Sequence, residues 1–235
     1  MITVLLSIDM KSASAHRTAR TRRPSAGIAD ELLAAAAVEF AAHGFVGAST
    51  RRIAQRAGAH QPQINYHFAS KELLWQATVD RLFAQLDPLT QDALAKTSDD
   101  PVAALDATVR AFLRFSAEHP ELDRIINQEA TAPSERLDWL LASHLRPRYE
   151  AVADLWGTIR VSGVGADLAP ADVWELITGF GALHFANAPM LEGLGITSVD
   201  ADAHADRLLA LLIGGRGEPL TRVSRAPRTS GSGGR

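Results

Sequence analysis

The chain has 235 residues, 46% of them hydrophobic, which is enough for one large domain or two smaller ones with packed cores. It has no cysteine, which excludes disulfides and thiolate metal sites and is compatible with a reducing cytoplasm. The net charge of −3 hides an asymmetry: residues 1–75 carry nine Lys+Arg against five Asp+Glu, residues 76–215 ten against twenty-one, and residues 216–235 five against one. An excess of positive charge confined to one part of a chain is an electrostatic footprint for phosphates.

The first nine residues contain an apolar run, ITVLLSI, with no basic residue before it and too short to span a bilayer, so neither a signal peptide nor a membrane anchor is expected. Met10 is an alternative start. Residues 11–23, KSASAHRTARTRR, are small, polar and basic and cannot bury enough apolar surface to fold alone. Residues 1–23 are read as a disordered arm, either simply solvated or adding phosphate and minor-groove contacts.

Ile28, Leu32, Ala36 and Phe40 recur every four residues and predict a first helix from about Ser25 or Gly27 to His43, closed by Gly44 with Phe45 packing inward. Thr50 is the expected N-cap of a short second helix, Arg51 to Ala57, with Ile53, Ala54 and Ala57 on its apolar face. Gly58 permits a sharp turn, and Pro62 sits in the first turn of a third helix, about Gln61 to His67. Ile64 and Phe68 then point back toward Ile53 and Ala57, which leaves Gln61, Gln63, Tyr66 and His67 facing outward beside Arg51, Arg52 and Arg56. Such a pair of helices is either an ordinary polar hairpin or a helix-turn-helix that reads DNA: amides can pair with adenine in the major groove, and Tyr or His can reach phosphate.

Further on, Ser70 caps a fourth helix with Trp75, Val79, Phe83 and Leu86 on one face, which Pro88 should kink or end. Asp100-Pro101 opens a fifth, with Val102, Leu105, Val109 and Phe112 inward, and His119-Pro120 breaks it. A short helix follows to about Glu129. Ser134 opens another through Trp139, His144, Tyr149, Trp156 and Ile159, with Pro147 as a kink. The loop VSGVGADLAP lacks the third glycine of a dinucleotide fingerprint, since Leu168 stands there. A helix from about Pro170 to Asn187, a loop over Ala188–Ile196 and a last helix from Asp200 to Ile213 complete the pattern. The segment 214–235 reads as a disordered tail. With no alternating strand, the fold expected is all-α.

The string INYHFASKELL, with LLAAAAVEFAAHGF upstream and Ser49-Thr50 opening the second helix, resembles the tetracycline-repressor (TetR) family over about Ile28 to Leu74. The resemblance implies an N-terminal three-helix helix-turn-helix DNA-binding domain, residues 24–70, and a helical effector and dimerisation domain, residues 71–213. It implies DNA contacts at Gln61, Pro62 (on a thymine methyl), Gln63 and His67, with Thr50 and Lys71 as backbone clamps. Arg51, Arg52, Asn65 and Tyr66 complete the expected DNA-binding set. Two positions depart from the family's pattern: Asn65 stands where Tyr is frequent, and His60 where Ser caps the helix.

No catalytic set, metal site or cofactor site emerges, because the histidines are scattered without ligand spacing and no paired carboxylates accompany them. An enzyme is therefore not expected. Phe83, Phe112, Trp139, Trp156, Trp174 and His184 are the candidates for lining an apolar ligand cavity between the helices, though each also reads as core, and His184 as a core or interface histidine. The expected protein is a cytoplasmic, ligand-responsive regulator, most simply a repressor. It would bind a near-palindromic double-stranded DNA operator as a homodimer formed by the last two long helices and be released by a small apolar effector. The alternative is a DNA-binding regulator governed by a protein partner instead of a small molecule.

Overall fold

In the computed structural model, which describes residues 25–97, 99–197 and 199–214, every regular element is helical. The expected basic arm, the choice between Met1 and Met10, and residues 215–235 of the expected tail lie outside those residues. Helix α1 (Ser25–Gly47) buries Leu32, Ala35, Ala36 and Phe40 along one stripe. The backbone leaves helical geometry at Gly44, where φ is +65°, and that break aims Phe45 inward as expected. The Gln128 side chain donates to the Ala41 carbonyl at 2.8 Å and so satisfies a carbonyl near that break.

Helix α2 spans Thr50–Arg56, α3 Gln61–Phe68 and α4 Lys71–Lys96. The cap of α2 is Ser49, not Thr50. Ser49 has the extended backbone a cap requires and its hydroxyl accepts the Arg52 N–H, whereas Thr50 is already the first helical residue. Between α3 and α4 the chain turns on Ala69, held at φ +59°, with the Ser70 N–H donating to the Phe68 carbonyl at 2.6 Å. This is a γ-turn, a tight connection that an L-residue adopts only under strain. Ser70 then caps α4 by accepting the Leu73 N–H.

Pro88 neither ends α4 nor marks its limit: the helix continues to Lys96. Pro88 is exposed, so water can bond the carbonyl its missing N–H leaves free, and the Thr90 hydroxyl donates to the Asp87 carbonyl in the same turn. Helix α5 (Pro101–Glu118), capped by Asp100, runs back along α4, and α6 (Pro120–Glu129) follows the break at His119-Pro120. Helix α7 (Glu135–Leu140) passes through a π-helical turn, Leu141–Leu145, into α8 (Arg146–Val161). That wider turn restarts the ladder and places Pro147 in a first turn, where its missing N–H is tolerated.

The next helix is also interrupted: α9 (Pro170–Glu175) leads through a π turn, Leu176–Ala182, to α10 (Leu183–Ala186). The stretch expected as a loop from Ala188 to Ile196 contains helix α11 (Ala188–Gly193), opened by Pro189 in its first turn and followed by Gly195 at φ +73°. Helix α12 (Ala201–Leu212), capped by Asp200, closes the described chain.

Two apolar cores result. One joins α1–α4 to Phe115, Leu122, Ile125 and Leu140. The other joins Leu105, Val109 and Leu113 to Trp156, Val173, Ala182 and Leu208. Helix α5 belongs to both. The last two long helices are less apolar outside than expected, because Val173, Ile177, Leu208, Leu209 and Leu212 are buried within the chain. Gly181 is also buried: a Cβ there would lie 2.9 Å from Leu113 and 3.2 Å from Leu208. What these helices leave outside is Phe180, 42% exposed, and Leu211.

The turn at Ala69 yields a stability prediction. Ala69→Gly removes a steric cost of about 1–2 kcal/mol at this positive φ and adds about 0.5–1 kcal/mol of chain entropy. The expected outcome is a gain of up to about 1 kcal/mol in the denaturant midpoint analysis, and a loss of stability would contradict the assigned turn.

Candidate nucleic-acid interface

Helices α2 and α3 meet through a turn whose hydrogen bonds are complete. The Ala59 N–H donates to the Ala54 carbonyl at 2.9 Å and the Gly58 N–H to the Gln55 carbonyl at 3.2 Å, with Gly58 at φ +62°. This is the Schellman arrangement, and open space surrounds Gly58, so glycine is required there by φ and not by crowding. Ile64 is buried against Ile53 and Ala54, and Phe68 packs beside them. Arg51, Arg56, Gln61, Pro62, Asn65 and Tyr66 are thereby left exposed, Tyr66 at 82%, while Gln63 and His67 are half-buried.

The two glutamines present opposite chemistry. Gln63 Oε1 accepts the His60 N–H at 2.8 Å and supplies the bond across the N-terminus of α3 that the His60 side chain does not make. Its amide N–H groups remain as donors. Gln61 Nε2 instead donates to Thr50 Oγ1 at 3.4 Å, leaving Gln61 Oε1 as an acceptor. Lys71 Nζ donates to the Val46 carbonyl at 3.3 Å and lies 4.9 Å from the centre of the Phe45 ring. Partial burial, with the neighbouring Arg136 guanidinium, lowers the Lys71 pKa from its ordinary value. Arg136 stacks on the same Phe45 ring at 3.9 Å and pairs with Glu129 and Glu72, so α1, α4, α6 and α7 converge there.

Arg52 is exposed like Arg51, as expected, but its head is also engaged by α1: Arg52 Nε donates to Glu39 Oε1 at 2.6 Å and Arg52 Nη2 to the Gly47 carbonyl at 3.0 Å. Glu39 is 2% exposed and also accepts the Ser49 N–H at 2.9 Å. Burial acts to raise its pKa, but the Ser49 amide and the Arg52 guanidinium outweigh burial and hold the carboxyl below its ordinary value. The sequence reading passed over Glu39. Its signal was there: a lone carboxylate beside Phe40, three places after Ala36, is a charge on the buried stripe, and buried charges are paired.

The six candidates for a ligand cavity do not converge on one space. Phe83 is buried in the first core, stacked on His144 at 4.2 Å with the Arg148 guanidinium 4.1 Å away. Trp139 meets Trp75 and His144 edge-on. Trp156 is buried in the second core and donates to the Leu168 carbonyl at 3.0 Å. Trp174 packs on Tyr149, and His184 stacks on His204 at 4.2 Å. Burial lowers the pKa of both His144 and His184, against the pull of Asp80 on the former. Phe112 alone packs against both cores. Two hollows among the described residues touch at most one of the six, His184. One is an open groove of about 360 Å³ bounded by Val102, Arg110, Leu209 and Ile213, and the other a space of about 10 Å³ beside His184 and Phe185. Among those residues no group of three His, Asp or Glu could hold a metal, and no helix is long and apolar enough to cross a membrane.

Residues 32–78 match the family described as bacterial regulatory proteins, tetR family. Over 193 residues the chain is 27% identical to the HTH-type transcriptional regulator RutR of Escherichia coli K12, covering 79% of this chain and 86% of that protein. The fold is similar to that of HlyIIR, a hemolysin II transcriptional regulator, with a TM-score of 0.63, 19% identity and coverage of 80% and 98%. It is also similar to AibR, solved in complex with isovaleryl coenzyme A and operator DNA, with a TM-score of 0.63, 17% identity and coverage of 79% and 98%.

The two arginines at the start of α2 separate structural from surface roles. Arg52→Ala strands the buried Glu39 charge and should cost about 2–3 kcal/mol of stability, whereas Arg51→Ala, at an exposed position, should cost under about 0.5 kcal/mol. Because the Glu39 pKa is depressed in the fold, its stabilisation is present above the ordinary carboxyl value of 4.5 and is lost as pH falls through the folded value. Glu39→Gln should therefore flatten the loss of stability below about pH 5 in acid titrations. Equal stability losses for the two arginine variants would contradict the assignment of Arg52.

Proposed function

We propose that this chain, a DNA-binding transcriptional regulator of the tetR family, is a repressor that holds a near-palindromic operator as a homodimer and lets go when a small molecule occupies its C-terminal helices. The observation that carries the DNA-reading half is the outer face of α3. It is a short helix with exposed Gln61, Pro62, Asn65 and Tyr66, backed by buried Ile64 and flanked by exposed Arg51 and Arg56. On this reading α3 enters the major groove. Gln61 offers an acceptor to a base donor such as an adenine or cytosine amino group, and Gln63 offers a donor to a base acceptor such as guanine O6 or thymine O4. Bidentate pairing with adenine by Gln63 would require its oxygen to accept a base N–H on its second lone pair, beside the His60 N–H. Thr50, Tyr66, His67 and Lys71 serve phosphates and fix register. Arg52 acts through Glu39, as a positioning residue for the start of α2.

Release is read from α4. Its N-terminus follows α3 through the one-residue turn at Ala69, so the two helices move together. Its middle is fastened to the π turn and to α8: Asp80 bonds His144 at 2.8 Å, and Asp87 pairs with Arg148. A ligand that displaces α7 and α8 therefore displaces α3, by as much as its affinity differs between the two arrangements. In a dimer, a change of a few Å from the half-site spacing of about 34–36 Å would prevent both reading helices from docking at once. The exposed Phe180 and Leu211 support a dimer face formed by the last helices.

Anisotropy measurements with DNA from upstream of the chain's own gene, repeated across a salt series, test the reading. Gln63→Ala should weaken binding by about 1–3 kcal/mol and relax preference at one base pair per half-site. Lys71→Ala should weaken specific and random DNA alike and make the salt slope shallower by about one. An unchanged base preference in Gln63→Ala would remove α3 from the groove.

A further inference from the structure

One guanidinium holds the two acids that stand beside the DNA-facing lysine. Arg136, in the first turn of α7, donates through Nε to Glu129 Oε2 at 3.0 Å, and its Nη2 lies 3.0 Å from Glu129 Oε1, so the pair is bidentate. Ser134, the cap of α7, donates its hydroxyl to the same carboxylate at the end of α6. Arg136 Nη1 reaches Glu72 Oε2, in the first turn of α4, at 3.4 Å. The guanidinium carbon lies 3.9 Å from the centre of the Phe45 ring, just past the break in α1.

Lys71 stands on the same ring, with one N–H on the Val46 carbonyl. Among the described residues it pairs with no carboxylate, although Glu72 is its neighbour in sequence. Two cations therefore share one aromatic ring, and only Arg136 has the acids. An ammonium has three donors, so two of those on Lys71 remain for another acceptor. The division of the acids follows from shape. A planar guanidinium takes both oxygens of Glu129 and still reaches Glu72 with its third nitrogen, whereas an ammonium is a point charge on a flexible stem. Glu129 has a side chain only 9% exposed, and a carboxylate so nearly buried is costly without a cation. With Arg136 withdrawn, Lys71 is the cation left on the Phe45 ring, and its stem can carry the ammonium to the vacated acids.

We propose that Arg136 is a positioning residue for DNA binding: by holding Glu72 and Glu129 it keeps the Lys71 ammonium free for a DNA phosphate. This rests on the reading of Lys71 as a phosphate contact and adds the residue that governs it. The consequence is a second control over DNA affinity, separate from the tilt of α4. Arg136 belongs to α7, so a displacement of α7 from the head of α4 exchanges one salt bridge for another. Lys71 then turns from phosphate to carboxylate with no change in the spacing of the reading helices.

The test uses the full chain, with anisotropy on upstream and random DNA across a salt series, well below the unfolding midpoint of each variant. Arg136→Met keeps an apolar cover on Phe45 and removes the charge. It should weaken binding to both DNAs about three- to tenfold at about 0.1 M salt and bring the salt slope close to that of Lys71→Ala. In the Lys71→Ala background the same change should have no further effect, whereas a general loss of positive charge would weaken binding with or without Lys71. Adding Glu72→Gln and Glu129→Gln to Arg136→Met should restore the parent's affinity and slope, because no acid is then left to draw Lys71 away. If the stranded Glu129 charge prevents Arg136→Met from folding, Arg136→Met with Glu129→Gln carries the same comparisons, since Glu72 remains to capture Lys71. A loss that is as large in the Lys71→Ala background, or that the two carboxamides do not reverse, would overturn the inference. So would parent-like binding by the Arg136 variant while Lys71→Ala binds weakly, and the phosphate contact would then stand. Lys71→Ala with the parent's affinity and slope would instead remove that contact, and the inference with it.

Discussion

A buried carboxylate organises the DNA-reading head. Glu39 sits on the stripe of α1 that covers α2 and α3, and it gathers the first free N–H before α2 together with the side chain of Arg52. Its desolvation is offset because both partners are donors and one is charged. The consequence is positional. Ser49 is fixed as the cap, α2 starts at a defined rotation, and Ile53 and Ala54 face inward, so the Gly58 turn delivers α3 with Ile64 buried and its amides outside. An apolar residue at position 39 would leave α2 anchored by hydrophobic contacts and the single Arg52–Gly47 hydrogen bond, which specify depth better than rotation.

From the head, two routes lead into the rest of the chain. The first is α4, rigid from Ser70 past Pro88 and joined to α3 by a turn too short to flex independently. The second passes from the C-terminus of α1, where Gln128 bonds Ala41 and Arg136 stacks on Phe45 beside Lys71, into α6 and α7. Both routes end at α5, which belongs to both apolar cores. Helix α5 is therefore where a change in packing would reach α3 by two paths at once.

Much of this was legible in the sequence where a local rule was sufficient. Ser70, Asp100, Ser134 and Asp200 cap the helices they were expected to cap, Gly58 adopts the positive φ its turn needs, and Ile64 and Phe68 pack inward. What was missed depends on contacts distant in the chain or on solvent. Pro88 was read as a breaker because the local rule ignores that an exposed helix face can lend water to the carbonyl it frees. Arg52 is the surface arginine its position predicts, but its bond to Glu39 is not visible locally, because that partner lies thirteen residues away on another helix.

The central claim is that α3 reads a major groove and that two copies do so one helical turn apart. Hydroxyl-radical footprinting of the full chain on DNA from upstream of its own gene tests both parts together. The account predicts two protected patches, related by a two-fold axis and centred about 34–36 Å apart, with protection lost when Gln61 and Gln63 are both replaced by alanine. A single continuous patch of random placement, or protection that survives both replacements, would contradict it.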